Sequence, residues 1–313
     1  MEISIPTVAV LMSTYNGEEY LREQLDSIFS QSGVNVKLFV RDDGSSDSTI
    51  SILKEYEKNF PIVILVDNEN VGPGESFMRL VYKYYNEPQV DYFAFADQDD
   101  IWIKDKLLVA VNMINKYSGC GPILYSSNQF IYAEGKNEGV RYEKNQKTDL
   151  ISHMTKNTIS GCTFVFDKQL ARLIGETDKP DYRVIKYRLH DAWIMLVAIS
   201  CGKVIYDNNA HMLYRIHRNN VVGIKGVSII KRLDKLKRFL GKRDDSNLRL
   251  ITAKELLRLY PQIREKNRRI ISLYACYQDS WKDKNRLALN KTIKANCEES
   301  PIVFMIKVYT NFI

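Results

Sequence analysis

Apolar runs alternate with amphipathic stretches along the first 120 residues of this chain. Continuous apolar runs at 7–13, 36–41, 62–66 and 91–96 are typical of buried parallel strands. Between them, and again at 104–117, apolar residues recur at spacings of three and four, as on one face of a helix. Strands and helices that alternate with short connections predict an α/β fold with a largely parallel, doubly wound sheet.

The alternation stops after about residue 120. Segment 122–135 has the pattern of a strand, a turn and a second strand, and 160–167 that of another strand. The apolar segment 190–202 predicts a buried helix that ends at Gly202. Segments 203–208 and 211–217 follow as two strands.

The character changes again near residue 224, where we place a domain boundary. We expect a catalytic domain at 1–223, with a nucleotide half at about 1–120 and an acceptor half at about 121–223. Residues 224–313 form a basic helical C-terminal region. Within it, segment 225–243 carries eight basic residues and one acid, with apolar residues at three- and four-residue spacings. This pattern predicts a basic amphipathic helix, which either packs on the catalytic domain or lies on an anionic membrane surface.

Composition and charge limit the classes of partner. The chain has 313 residues, of which 45% are hydrophobic, and its net charge is +7. That charge fits nucleic acid, an anionic membrane or phosphorylated small molecules. A nucleic-acid site would need aromatic residues for stacking, and the basic segment has only Phe239, so we expect no nucleic-acid partner.

The sequence also predicts the compartment. Five cysteines without C-x-x-C spacing indicate free thiols in a reducing environment. The start has no basic segment of the kind that opens a signal peptide, and no apolar run reaches the ~18–20 residues that a membrane span needs. We therefore expect a cytoplasmic protein, soluble or peripheral on the membrane.

Carboxylates follow two of the predicted strands. Asp43, preceded by Asp42, follows the second strand, and Asp97, Asp99 and Asp100 follow the fourth. In a doubly wound sheet these strand ends meet at the ligand-binding edge. Because like charges repel, the cluster predicts a divalent cation with oxygen ligands, which commonly bridges carboxylates to a diphosphate. Loops that cap the following helices are the alternative explanation for both clusters.

Two further clusters come from the second half of the chain. Asp191 stands beside His190 at the start of an apolar helix, where it would act as a general base or merely cap the helix. Arg215 and His217 are two residues apart after a strand, so they face one way and could meet phosphate or metal. A lone histidine is more often structural than a ligand.

The motifs together resemble the family 2 glycosyltransferases of the GT-A fold, over roughly residues 5–220. The matching stretches are STYNGEEYLREQLDSIFSQ, VRDDGSSDST, NVGPGESFM, ADQDDIWIKDKL, SGCTF and HDAW. No single stretch is specific, but the set in this order and spacing is. DQDDIW, HDAW and YRIHRNN further resemble the bacterial rhamnosyltransferases of this family.

The resemblance implies roles for individual residues. The nucleoside pocket would be lined by Ser13, Thr14, Tyr15 and Glu18. Asp43 would read the pyrimidine, and Asp97 would contact the ribose side of the nucleotide. Asp99 would hold Mg2+ or Mn2+, with Asp97 and His217 as further ligands. Arg215 would contact the diphosphate. Asp191 would deprotonate the acceptor hydroxyl, with His190 as its helper.

The implied reaction is a single displacement at the anomeric carbon with inversion. The donor would be a pyrimidine nucleotide-diphosphate sugar, with dTDP-L-rhamnose as the first choice, and the acceptor a glycan or a lipid-linked sugar in cell-surface polysaccharide synthesis. The Q-x-x-R-W motif and membrane helices of processive relatives are absent from the sequence, which predicts transfer of one or a few sugars.

Two other functions compete with this one. A catalytically silent sugar-nucleotide binder would need no Asp191. A nucleotidyltransferase would carry a glycine-rich, basic loop after the first strand, whereas STYNGEEY has one glycine and no basic residue.

Overall fold

The computed structural model of the chain describes residues 5–67, 69–217 and 247–313. Its strands are β1 (Thr7–Thr14), β2 (Asn35–Asp42), β3 (Ile62–Val66), β4 (Tyr92–Ala96), β5 (Ile101–Trp102), β6 (Ile123–Ala133), β7 (Lys136–Val140), β8 (Val165–Asp167) and β9 (Lys203–Arg215). Its helices are α1 (Leu21–Phe29), α2 (Thr49–Glu57), α3 (Pro73–Tyr84), α4 (Lys106–Asn115), α5 (Leu150–Thr155), α6 (Lys168–Gly175), α7 (Tyr182–Cys201), α8 (Leu248–Leu259), α9 (Glu265–Cys276), α10 (Trp281–Ala288), α11 (Lys291–Asn296) and α12 (Pro301–Tyr309).

One mixed sheet organises the molecule. Its strand order is β3-β2-β1-β4-β8-β6-β9-β5, and β7 pairs with β6. β1 to β4 pair in parallel, as do β6 and β9. β8 runs antiparallel between β4 and β6. The predicted α/β class with a mostly parallel sheet is confirmed. The sequence pattern was informative because strands that helices cover on both faces must be apolar throughout.

Hydrophobic cores lie on both faces of this sheet. Ala9 and Leu11 belong to one cluster, while Val8, Val10 and Met12 belong to the other, and none of the five is exposed. Successive side chains of a strand point to opposite faces. β1 is therefore the centre of the fold, and the loop after it lies at a rigid edge.

The helices after residue 247 pack on the first of these clusters. Leu256, Tyr274 and Phe304 are buried together with Trp193 of α7. The predicted helical C-terminal region is thus present. The domain boundary near 224 and the basic helix 225–243 lie outside the described residues and stay predictions. Among the described helices, none combines the length and apolarity needed to cross a bilayer.

Three strand predictions in the second half were wrong in detail. Segment 122–135 is mostly one strand, β6, and its turn comes later, at Glu134 and Gly135, which both have positive φ. Segment 160–167 opens with a 3-10 turn at Gly161–Thr163 before the short β8. The two strands expected after residue 202 are the single strand β9, whose register against β6 shifts around Asp207. Polar residues inside β6 and β9 have the composition of a turn, so the sequence pattern predicted turns where these strands continue.

The helix predicted at 190–202 begins earlier, at Tyr182, and is broken at Leu189. Leu189 has φ 67° and ψ 171°, a conformation that is essentially restricted to glycine. Gly74 of α3 packs against this break, because a Cβ there would lie 2.8 Å from the carbonyl oxygen of Ile185. The break places His190 and Asp191 at the start of a second, apolar helical segment.

Candidate functional site

The carboxyl ends of β1, β2 and β4 form one edge of the sheet, as the sequence predicted. Thr14 at the end of β1 is in register with Asp42 of β2, and Met12 with Ala96 of β4. The loops that begin with Asp43 and Asp97 therefore lie on either side of the loop that follows β1.

The β1 loop is held by its own side chains. Thr14 Oγ1 donates to Asp42 Oδ2 at 2.9 Å, and Ser13 Oγ donates to Ser76 Oγ at 2.7 Å. Glu18 Oε2 accepts from the Ser48 amide at 2.9 Å, at the start of α2. Tyr15 keeps 48% of its surface exposed. Of the four predicted nucleoside residues, Tyr15 therefore offers the open aromatic face, and the other three shape the loop. Their contact with a nucleotide stays a prediction.

Asp43 is a buried carboxylate with partners already in place. The amides of Val71 and Gly72 donate to it at 2.9 and 2.8 Å, and Arg41 forms an ion pair with it. Arg41, 1% exposed, also binds Asp67 Oδ2 at 2.9 Å. The sequence analysis missed Arg41, although a basic residue ending an apolar strand was a signal for it. Reading of a pyrimidine by Asp43 stays a prediction.

The loop that begins with Asp97 contacts the end of β9. His217 Nε2 lies 2.7 Å from Asp99 Oδ2. Arg215 Nε donates to the Asp99 carbonyl oxygen at 2.9 Å, and its backbone amide donates to Asp100 Oδ1 at 3.1 Å. The Arg215 guanidinium also pairs with Glu23 of α1. Residues far apart in sequence thus meet at the predicted metal and diphosphate positions.

Two carboxylates of this loop have raised pKa values. Burial, followed by the charges of Asp99 and Asp191, raises the pKa of Asp97 above its usual range. Burial also raises the pKa of Asp100, and no described residue bonds to its buried Oδ2. A cation near this loop would lower both pKa values. Carboxylate oxygens are the ligands that a hard divalent ion prefers. Among the described residues, the group whose ligand atoms lie within 4.8 Å of one another contains Asp97 and Asp100 but not Asp99, which contacts His217.

A ligand set that includes a thiol fits less well. The nearest ligand atoms of Asp97, Asp100 and Cys162 lie within 4.8 Å of one another. Burial raises the pKa of the Cys162 thiol, so it stays protonated, and Mg2+ prefers oxygen. We assign Cys162 to the packing of this site.

Lys106 is a second cation that the sequence analysis missed. It is 1% exposed, its Nζ lies 3.8 Å from the centre of the Trp102 ring, and burial lowers its pKa to about 8. The charge of Asp100 acts in the opposite direction. Arg41, Lys106 and Arg215 therefore already offset part of the negative charge that the sequence places here.

Asp191 is a half-buried carboxylate that accepts hydrogen bonds from a side chain and from the backbone. Asn157 Nδ2 donates to its Oδ2 at 3.0 Å, and the Ala192 amide donates to its Oδ1 at 2.7 Å. Burial raises the pKa of Asp191 to about 6. A carboxylate with a pKa near neutrality is suited to accept a proton. Asn157, which the sequence analysis also missed, favours its ionised form.

His190 has a different environment. Its ring stacks on Phe77 with 4.1 Å between ring centres, and its edge contacts Phe95 at 5.0 Å. Burial lowers its pKa to about 3, so the ring is neutral. No described residue bonds to its Nδ1. This environment favours packing over proton transfer, and the helper role predicted for His190 gains no support from it.

Comparisons with known proteins agree with this architecture. The model of the Glycosyl transferase family 2 matches residues 9–174. The dTDP-rhamnosyl transferase RfbG of Shigella flexneri is 33% identical over 221 residues, which cover 68% of this chain and 73% of that protein. TarS 1-349 of S. aureus in complex with UDP-GlcNAc superposes with a TM-score of 0.57 at 16% identity, covering 97% of this chain and 89% of that one. The mannosyltransferase PcManGT from Pyrobaculum calidifontis, in complex with GDP-Man and Mn2+, superposes with a TM-score of 0.51 at 12% identity, covering 98% of this chain and 88% of that one. These likenesses confirm the GT-A fold.

Proposed function

Because the chain belongs to glycosyl transferase family 2, we propose that it moves a sugar, with rhamnose as the first choice, from a pyrimidine nucleotide diphosphate to a glycan or lipid-linked acceptor. The observation that carries this proposal is the convergence of Asp191 on the carboxylates that follow β4. Gly161 lies against Asp191, because a Cβ there would be 3.0 Å from the Asp191 Cβ. The thiol of the next residue, Cys162, lies within 4.8 Å of Asp97 and Asp100. In agreement with this placement, the charges of Asp99 and Asp191 both raise the pKa of Asp97. A base for the acceptor and ligands for the donor's cation would thus share one site.

Asp99 and Asp97 would hold Mg2+ or Mn2+, with His217 as a third ligand through the contact it makes with Asp99. The ion would neutralise the diphosphate leaving group as a Lewis acid. A solved relative of the same fold contains Mn2+. Arg215 would turn from Glu23 and Tyr20 towards the diphosphate when the donor binds.

Asp191 would accept the proton of the attacking acceptor hydroxyl. One base on the side opposite the leaving group suffices for a single displacement with inversion, since a bound cation would supply the Lewis-acid stabilisation of the leaving group. This differs from glycoside hydrolysis, which uses two carboxyl groups. Asp43 and Tyr15 would hold the pyrimidine nucleoside. The choice of dTDP-L-rhamnose rests on the relative that is named as a dTDP-rhamnosyl transferase.

Cell-surface polysaccharide synthesis would bring the enzyme to the cytoplasmic face of the membrane. The basic segment 225–243 would bind anionic lipid there. The described end of the chain supports this placement, because one face of α12 is apolar and open to solvent: Ile302 is 70% exposed and Ile306 48%.

Donor screening tests the proposal. The protein is incubated with Mn2+, a glycan acceptor panel and nucleotide sugars, and release of nucleotide diphosphate is measured. We expect the highest release with dTDP-L-rhamnose, and loss of release in EDTA or in the variant Asp99→Ala. A purine nucleotide sugar as the best donor would remove the role given to Asp43. Full activity in EDTA would remove the metal.

A further inference from the structure

A basic cavity lies where the C-terminal helices meet the catalytic region. Its volume is about 380 Å3. It is lined by the end of α5, the broken part of α7, the start of α8 and the last residues of the chain. Lys156, Arg188 and Arg249 line it, and no aspartate or glutamate is among its described lining residues. Such a lining favours an anion.

The charges of these three residues are only partly compensated. Arg249 pairs with Glu299 at 2.5 Å, and Glu299 also pairs with Lys307. Lys156 is exposed and forms no ion pair with any residue that the structure describes.

Arg188 is the least satisfied of the three. It donates to the carbonyl oxygens of His153 and Met154 at 3.3 and 2.8 Å. Its buried Nε has no acceptor among the described residues. Burial, and then the charge of Arg249, lowers the pKa of Arg188 to about 9. A guanidinium carries five N–H donors, and the two bonds to carbonyl oxygens use two of them, so further N–H groups of Arg188 remain for an anion in the cavity.

The cavity adjoins the candidate base. Asn157 lines it and donates to Asp191 Oδ2, and Ala192 lines it directly after the base. Asp191 itself is not among the described lining residues, so its connection to the cavity runs through Asn157 and Ala192. The cavity shares no described residue with the loops assigned to the donor.

We propose that this cavity binds the phosphate or diphosphate group at the reducing end of the acceptor, through Lys156, Arg188 and Arg249. This inference rests on the proposed transferase function and specifies its acceptor as a glycosyl phosphate. An acceptor sugar held at its anomeric phosphate presents its ring hydroxyls to the neighbouring Asp191. The charged group supplies binding energy remote from the reacting atoms, which positions the hydroxyl.

Isothermal titration calorimetry in EDTA tests the site, because EDTA removes the cation through which the donor site would bind a diphosphate. The probes are inorganic pyrophosphate and geranyl diphosphate. We expect wild type to bind both, and Lys156→Gln to bind both about tenfold or more weakly, since it loses one charged hydrogen bond. The matched control is Lys144→Gln, at an exposed lysine that does not line the cavity.

The proposal is overturned if wild type binds neither probe, or if Lys144→Gln weakens binding as much as Lys156→Gln does. Tighter binding of geranyl diphosphate than of pyrophosphate identifies a lipid-linked source, and equal binding identifies a soluble phosphate ester. Nucleotide diphosphate release by wild type with Mn2+ is measured in parallel. Release without pyrophosphate binding refutes only the cavity, and binding without release from any donor refutes the transferase function.

Discussion

At the residue scale, the state of Asp191 decides the pH dependence of the proposed reaction. A base must be ionised, and burial raises the pKa of Asp191 to about 6. We expect kcat/KM to fall as the pH drops below about 6, because the carboxylate takes up a proton. Asp191→Asn should lower kcat by roughly 10²–10⁴-fold, the usual contribution of a general base, with donor binding nearly unchanged.

Asn157 supplies a sharper form of the same test. Its amide donates to Asp191 and lowers the pKa of that carboxylate. Asn157→Ala should therefore move the acidic limb of the kcat/KM profile to higher pH. The value of kcat/KM on the plateau at high pH should fall less than its value at low pH. Asn157→Asp would place a second carboxylate there and should move the limb further. An acidic limb at the wild-type position in both variants would contradict Asp191 as the titrating base.

Gln98 positions the nucleoside loop. The Tyr15 amide donates to Gln98 Oε1 at 2.9 Å, and Gln98 Nε2 donates to the Tyr15 carbonyl oxygen at 3.0 Å. This pair joins the loop after β1 to the loop that begins with Asp97. Gln98→Met keeps the length but loses both bonds, so we expect the donor KM to rise about tenfold with a smaller change in kcat.

Gln98→Glu is the companion variant. It still accepts from the Tyr15 amide, but its second carboxylate oxygen would face the Tyr15 carbonyl oxygen, so its donor KM should rise at least as far as that of Gln98→Met. The melting temperature is measured in parallel. A lower melting temperature with an unchanged donor KM in both variants would assign Gln98 to the fold alone.

At the element scale, the break in α7 makes an unusual prediction. In a regular helix, glycine is ~1 kcal/mol less stable than alanine. Leu189 has a conformation that costs a residue with a Cβ roughly 1–3 kcal/mol. We therefore expect Leu189→Gly to unfold in urea with a free energy equal to or above that of Leu189→Ala. Ala198→Gly, in the regular part of the same helix, should lose at least about 1 kcal/mol, because it also removes a buried methyl group. The ordinary ranking at both positions would mean that the break is not strained.

The same element shows the limit of sequence reading. Four of the five strands before residue 120 were predicted well, because each is a short apolar run that is covered on both faces, whereas the two-residue strand β5 was not predicted. The first half of α7 was missed because Arg183, Lys186 and Arg188 interrupt its apolar pattern. No residue type signals a break at Leu189, where Gly74 allows α3 to approach closely.

At the scale of the whole molecule, the C-terminal helices have one face in the core and one outside. Phe304 and Val308 are buried, whereas Ile302, Val303 and Ile306 are exposed. Tyr309 continues this outer face, and the exposed Trp281 of α10 lies 5.9 Å from it between ring centres. Between residues 281 and 313, the basic residues are Lys282, Lys284, Arg286, Lys291, Lys294 and Lys307, and the acids are Asp283, Glu298 and Glu299. This composition is typical of a surface that meets anionic lipid.

Liposome co-sedimentation tests that surface. We expect wild type to pellet with anionic vesicles, less so at high salt, and Ile302→Ser combined with Ile306→Ser to lower partitioning by at least about tenfold. The matched control is Val140→Ser, which alters a 45% exposed apolar residue of β7. Unchanged pelleting of the double variant, or equal pelleting with neutral vesicles, would leave the outer face of α12 without a role in membrane binding.

The amino-acid sequence by itself determined the layered fold and the edge at which the carboxylates collect. Both follow from local patterns, since buried parallel strands are apolar and their carboxyl ends meet at one edge. Only the tertiary structure decided which partners those carboxylates have. The contact of His217 with Asp99, the ion pair of Arg41 with Asp43 and the bond from Asn157 to Asp191 depend on how distant segments pack. The pKa values follow from the same packing, because burial depends on neighbours that residue spacing does not specify.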